Sequence, residues 1–169
     1  HLASRRQRQM CIRDRAGPLA HIGRNGHPPS VPLNLVGDFG GGSLFLIAGI
    51  LAALVAVSNG NDGQIIDAAM VDGAAYLASP LFSAYQSGFW SNQRGTNLLD
   101  SGAPFYDVYE CKCGDFLATG AIEPQFYKQL LMGLGFDPDE IPPQNDREHW
   151  RDTKAVSYTH LTLPTTSKV

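Results

Sequence analysis

Cysteine, charge and long apolar runs are all scarce in this chain of 169 residues. Three cysteines, with no charged-then-apolar leader ahead of them, argue against a secreted disulfide scaffold and for a reducing compartment. Charged residues make up 17% and hydrophobic ones 43%, which excludes a disordered tail, and neither a collagen nor a coiled-coil period is present. The longest apolar stretch, residues 43–57, is fifteen residues long. A bilayer span needs about twenty, so a buried helix is expected there and no membrane span. At about 150 residues per domain, the length corresponds to one domain or parts of two.

What charge there is lies unevenly. Residues 1–15 hold five arginines and one aspartate, whereas residues 16–155 hold seven basic and fifteen acidic side chains. The formal net charge of -3 therefore hides an interior of seven minus fifteen, or -8, which disfavours nucleic acid as a partner. The opening HLASRRQRQMCIRDR has no apolar period; at face value it is a nucleic-acid-binding arm or a solvated terminus. RQRQMCIRDR resembles the peptide obtained by translating a sequencing-adapter read, and AVSYTHLTLPTTSKV at the other end resembles its partner. Residues 1–15 and 156–169 are therefore read as non-native tails and set aside, as a fusion scar would be.

In the interior, Pro18, Pro28, Pro29 and Pro32 leave room for a short turn and an extended approach, with no long helix before Val36. Residues 37–43, Gly-Asp-Phe-Gly-Gly-Gly-Ser, read as a turn running into residues 44–57, apolar on every face as in a helix buried all round. Residues 59–63 form a turn, residues 64–68 a short strand, and a further apolar helix follows to about Ser87, kinked at Pro80. Helix, turn, strand, helix is an α/β pattern. Residues 89–102 are polar and aperiodic and read as a surface linker. Residues 105–111 and 116–122 are then two strands of a hairpin. Glu123-Pro124 starts a helix whose apolar face is Phe126, Leu130, Leu131 and Leu134, ending at Gly135.

Asp38 is the foremost chemical candidate. An aspartate followed by three glycines at the start of an apolar helix suits a base or nucleophile beside an oxyanion-binding terminus, with Gly40, Gly41 and Gly42 letting a substrate approach the backbone; it equally suits an ordinary N-cap. Glu123, between hairpin and helix, suits orientation of a histidine, or simple stabilisation of the helix terminus. Tyr106 presents a hydroxyl to a ligand or packs its ring in the core. Cys111 and Cys113 lack a second ligand pair at usable spacing, so they read as structural or free cysteines and not as a metal site. His21 and His27 lie in a Gly/Pro-rich loop outside any metal motif and read as solvated.

Three stretches together, PLNLVGDFGGGSLFLIAGILAAL (32–54), QIIDAAMVDGAAYL (64–77) and GAPFYDVYECKCGDFLATGAIEPQFY (102–127), resemble the family III CoA-transferases in their branch of 2-methylacyl-CoA racemases. The resemblance implies an α/β partial fold: residues 16–88 from the end of a Rossmann-like large domain, residues 89–102 as linker, residues 103–155 from the start of a small α+β domain, in an interlocked homodimer when intact. It implies interconversion of (R)- and (S)-2-methylacyl-CoA thioesters with no metal or redox cofactor, coenzyme A being part of the substrate. It makes Asp38 one of two bases and Glu123 the residue that orients the other, a histidine. Gly40, Gly41 and Gly42 then serve the oxyanion, and Tyr106 and Ile122 line the acyl pocket. That histidine belongs to an upstream Gly-His-Asp segment that would fall near Arg8, inside the set-aside end, and His21 comes too late to replace it. The chain as written is therefore expected to be inactive, its helix at residues 44–57 uncovered and prone to aggregate.

The alternatives are a CoA-transferase of the same fold with Asp38 acylated as a nucleophile, a non-catalytic binding or dimerisation module, and a basic-armed nucleic-acid binder. The expected compartment is a bacterial cytoplasm, or a peroxisome or mitochondrion in a eukaryote. Resequencing the source across residues 15–16 and 155–156 is expected to replace both tails and to reveal a Gly-His-Asp upstream of Asp38. An arginine-rich arm that is really encoded there would favour the binding module.

Overall fold

A computed structural model describes residues 16–162. The arginine-rich opening and the last residues of the other tail lie outside the described residues. The chain divides into two compact units at Asn92/Gln93, within the stretch read as a linker. In the first unit a 3-10 turn, Pro18–His21, precedes a π-helical segment, Leu35–Leu44, which runs on into α1, Phe45–Ser58. Helices α2, Met70–Leu77, and α3, Ser79–Gln86, follow. The second unit holds β1, Val108–Glu110, β2, Phe116–Ala118, α4, Pro124–Gly133, and α5, Trp150–Thr162.

The first unit is held by backbone proximity. A Cβ built on Gly73 would lie 1.9 Å from the carbonyl oxygen of Gly41, and one on Gly41 would lie 2.6 Å from the amide of Ala74. The π-helical segment therefore rests directly on α2, which it can do only because both positions lack side chains. At the far end of the unit, buried Trp90 donates its indole N–H to His21 Nδ1 at 3.2 Å, with the two rings edge to face. His21 is thus a packed partner of Trp90, a correction to its reading as solvated. The break between α2 and α3 falls at Ala78, and Pro80 occupies the first turn of α3, where its missing N–H costs nothing.

Three expectations for this unit are corrected. Residues 64–68 form no strand, and Ile65 is fully exposed, because among the described residues no second strand lies beside them. Helix α1 has no buried residue, and Leu51 and Leu54 are 57% and 60% exposed. Its apolar composition calls for cover on every side, and the described residues touch it only in places, such as Tyr76 against Phe45 and Ile66 near Gly49. The helical run is also longer than the apolar stretch: Leu35–Ser58 is 24 residues, long and apolar enough by length and composition to cross a membrane.

The second unit is built around an aromatic cluster. Phe105, 1% exposed, meets Tyr127 and Trp150 edge to face at centroid distances of 5.3 and 5.8 Å, with Ala103 and Leu131 completing the core. The hairpin is antiparallel with Tyr109 opposite Leu117. Its register continues beyond the strands, with Thr119 N–H donating to the Asp107 carbonyl at 2.8 Å and Ala121 N–H to that of Phe105 at 3.0 Å. Helix α4 begins after Glu123 with proline in its first turn, as its sequence predicts, but its buried face is Tyr127 and Leu131 while Phe126 is exposed. The period was legible; the phase is chosen by Phe105 and Trp150. Residues 89–102 are not a loose crossing: the Asp100 carboxylate accepts the amides of Gly95 and Asn97 and the side-chain amide of Asn97, which is completely buried. Residues 156–162, set aside on sequence, continue α5, and Ser157 is buried there.

An ion pair joins hairpin and α5. Asp107, whose side chain is 2% exposed, pairs with Lys154. Burial alone would raise the Asp107 carboxyl, but hydrogen bonds from Lys154, the Val108 amide and Ser101, with the charge of Lys154, hold it below the ordinary carboxylate value. A depressed folded value contributes stability that is present above the unfolded value near 3.8 and is lost as pH falls through the folded one. Acid unfolding followed by circular dichroism should therefore show a loss of stability below that value. Asp107→Asn should abolish this step and lower stability at neutral pH by about 2 kcal/mol, since Lys154 is left without its counter-charge.

Candidate active site

Asp38 lies inside a helix, not at its cap. The N-cap of the π-helical segment is Asn34, and Asp38 sits in the first turn, half-buried. Helix wide enough for i to i+5 bonding is rare and recurs at functional sites. Here Phe39 N–H donates to the Asn34 carbonyl at 3.1 Å, and the Ser43 hydroxyl donates to the Asp38 carbonyl at 2.9 Å. The side chain of Asp38 is thus carried on a rigid element, in the positive field of a helix N-terminus.

The glycines lie in a different local structure from the expected turn. Gly40, Gly41 and Gly42 are not a turn ahead of the helix but part of the π-helical segment, so their N–H groups belong to its ladder. The sides on which they lack a Cβ face α2: Leu77 at Gly40, Ala74 at Gly41 and Met70 at Gly42. At Gly41 the missing side chain is what admits the backbone of α2, whereas a Cβ on Gly42 would meet Met70 at 3.8 Å, an ordinary contact. The amides that a helix leaves without an intrahelical acceptor are those of its first turn, here Val36 and Gly37.

Glu123, Ile122 and Tyr106 belong to the second unit. Glu123 is the N-cap of α4; its carbonyl accepts Phe126 and Tyr127 N–H at 3.0 Å, while its exposed carboxylate makes no capping hydrogen bond and is not spent on its own helix. The peptides before it are clamped by Gln144, whose side-chain amide donates to the carbonyls of Ala121 at 3.1 Å and Ile122 at 2.8 Å. Gln144 is itself held in place, since its backbone carbonyl accepts the Trp150 indole N–H at 2.8 Å. Sequence reasoning missed Gln144, because nothing local marks a glutamine in a loop as the partner of a distant junction.

Tyr106 is half-buried and lines a cleft of about 380 Å³ on the hairpin. Period-2 alternation puts Tyr106 and Val108 on one face with Ala118 and Gly120 opposite them, and Ser101, Asp107 and Thr119 also border the cleft. Ile122, expected to share that lining, is 38% exposed and is not among the lining residues. Cys111 and Cys113 are free thiols, with Cys113 Sγ 3.4 Å from Asp115 Oδ2. Among the described residues no group of three His, Cys, Asp or Glu side chains is placed to hold a metal.

Comparisons with known proteins agree on one family. The profile of CoA-transferase family III matches residues 3–161. Over 139 residues the chain is 48% identical to the alpha-methylacyl-CoA racemases of Mus musculus and Homo sapiens, a match that takes in 82% of this chain and 36% of each relative. The chain thus spans about a third of the length of the curated relatives it matches. Among solved structures, Rv3272 from M. tuberculosis, in its orthorhombic form, superimposes with a TM-score of 0.65 at 18% identity, covering 91% of this chain and 40% of that one. At that identity the likeness concerns the fold, which is the α/β fold of this family in part.

The geometry around Asp38 rests on Gly73. Gly73→Ala should separate the π-helical segment from α2, lowering stability by about 1–3 kcal/mol and speeding amide exchange selectively across residues 35–44. Exchange in that segment unchanged from the parent chain would show that the contact does not hold it.

Proposed function

The chain belongs to the family III CoA-transferases, and on that premise we propose that it comes from a 2-methylacyl-CoA racemase. The observation that carries this reading is the 48% identity to proteins named alpha-methylacyl-CoA racemase, together with an aspartate held half-buried on a helix beside first-turn amides. The reaction asked of such a site is removal of the α-proton of a thioester on one face and return of a proton on the other, through an enolate. Asp38 takes or returns the proton on one face. The opposite face needs a second base, which the described residues do not offer in any recognised motif, so the chain as written is inactive. Glu123, uncommitted to its own helix, orients that second base in the intact protein.

Charge develops on the thioester oxygen as the proton leaves, and preorganised N–H donors are what lower the cost of that charge. We assign this role to the first-turn amides of Val36 and Gly37, in place of the glycines at 40–42. The cleft of Tyr106 receives the acyl chain, its apolar hairpin face matching a hydrocarbon. Neither a metal nor a redox group enters this chemistry, and coenzyme A arrives as part of the substrate; the intact enzyme works as a homodimer. We read the helical run at Leu35–Ser58 as a core helix and not a membrane span, because Asp38 and the backbone contact with α2 sit within it. The transferase alternative keeps the same aspartate but makes it a nucleophile, and no observation here favours it.

The test is a chimera in which residues 16–155 replace the matched stretch of the mouse racemase. It should racemise 2-methylacyl-CoA and exchange the α-proton with solvent deuterium. Asp38→Asn should lower kcat by about 100-fold or more, the usual contribution of general acid–base catalysis. A folded chimera without exchange would sink the racemase reading, and an acyl or CoA adduct trapped on Asp38 would turn it into the transferase.

A further inference from the structure

The Asp107–Lys154 pair has no part in proton transfer, yet Asp107 borders the cleft of Tyr106. Along the hairpin Asp107 points inward, opposite in sense to Tyr106 and Val108 on either side of it. Its carboxylate pairs with Lys154 and accepts the Val108 amide at 2.7 Å. Lys154 Nζ also donates to the carbonyl of Ser101 at 2.5 Å. One ammonium on α5 therefore grips both ends of the segment 101–107, and it is these ends, at Ser101, Tyr106 and Asp107, that border the cleft. Thr119, on the facing strand, ties the same residue across the hairpin, its hydroxyl donating to the Asp107 carbonyl at 3.1 Å.

The gripped segment is also strained. Ser101 has φ +75°, a left-handed conformation that a serine does not adopt without compensation. Beside it the backbones pack so closely that only glycine fits, since a Cβ on Gly102 would lie 2.3 Å from the backbone of Thr96. Strain of this kind persists only where the surroundings over-determine it, and it gathers where a wall must hold a fixed shape.

We propose that Asp107 and Lys154 are a positioning pair that fixes the 101–106 wall of the cleft, and thereby sets affinity for the acyl end of the thioester without touching the reacting atoms. The inference rests on the racemase reading for the identity of the ligand, and on the second unit alone for the mechanics. An ion pair suits the task because its geometry is demanding: either charge left alone in a desolvated place reorganises its surroundings.

The experiment compares Asp107→Asn, Lys154→Met and the double variant Asp107→Asn/Lys154→Gln, whose amides can restore the hydrogen bonds without the charges. In the racemase chimera each single variant should raise KM for 2-methylacyl-CoA about tenfold with kcat within about twofold, the signature of lost binding common to ground and transition states. The double variant should recover most of that loss. In the 169-residue chain itself, amide exchange should quicken further at residues 101–108 and 118–120 than at Tyr127 and Leu131, which follow only the overall loss of stability. Unchanged KM in a folded single variant would overturn the proposal, as would exchange that quickens by the same factor throughout the second unit, which is the mark of a merely structural pair. Should Asp107→Asn fail to fold, Lys154→Met decides the question alone. An inactive parent chimera would count against the racemase reading, while the exchange pattern still decides whether the pair holds the wall.

Discussion

Two backbones meet where side chains would normally keep them apart. The carbonyl of Gly41 occupies nearly the place that a Cβ on Gly73 would take, so the π-helical segment and α2 approach as closely as helices can. The place of Asp38 follows from that contact. A widened helix is less favourable than an α-helix and persists where something outside it selects it; here the partner is α2, met in turn by Gly40, Gly41 and Gly42. The glycine run after the aspartate is therefore a packing surface first. Its chemical consequence is indirect: it fixes the helix whose first-turn amides and carboxylate make the candidate site.

The second unit works by a different means. It has a true aromatic core, in which Phe105 joins the hairpin to α4 and α5 through Tyr127 and Trp150. On that core are fastened three polar devices, the Asp100 loop, the Gln144 clamp before Glu123 and the Asp107–Lys154 pair. Each satisfies backbone groups that would otherwise lack a protein partner, and the last two act on segments next to Glu123 and Tyr106. The candidate residues are ordinary in themselves. Their placement is where the sequence has been spent.

Features that depend on neighbours in sequence were legible. Pro80 marked the break between α2 and α3, Glu123-Pro124 marked the start of α4, and the turn chemistry around Gly114 marked the hairpin, because proline, glycine and caps act through local backbone geometry. The α/β family fold was legible through motifs that carry order as well as composition. What escaped depends on partners far along the chain. Tyr127 rather than Phe126 is buried because Phe105 and Trp150 lie on that side, and residues 64–68 failed as a strand because a strand is made by its neighbour. The π-helical segment, the Gln144 clamp and the Lys154 pair carry no local signature at all. Of the candidate site, the residue types were readable; the direction in which the glycines face was not.

Helix α1 poses the remaining constraint. A helix apolar on every side is stable only in apolar surroundings, and large exposed apolar surface marks a place that something else covers. A bilayer is one such environment, and the length of Leu35–Ser58 would allow it. It would, however, draw the Asp38 carboxylate into one end of the span, where an acidic side chain is still unfavourable. It would also take α2 with it, since Gly41 and Gly73 are in backbone contact, and with α2 the exposed carboxylate of Asp72. Protein cover has neither cost. The relatives are about three times as long as the part of them that this chain matches. On the proposed racemase reading, the part not spanned would supply both the cover for α1 and the second base, so exposure of the helix and the proposed inactivity would share a single cause, and a longer chain should cure both together.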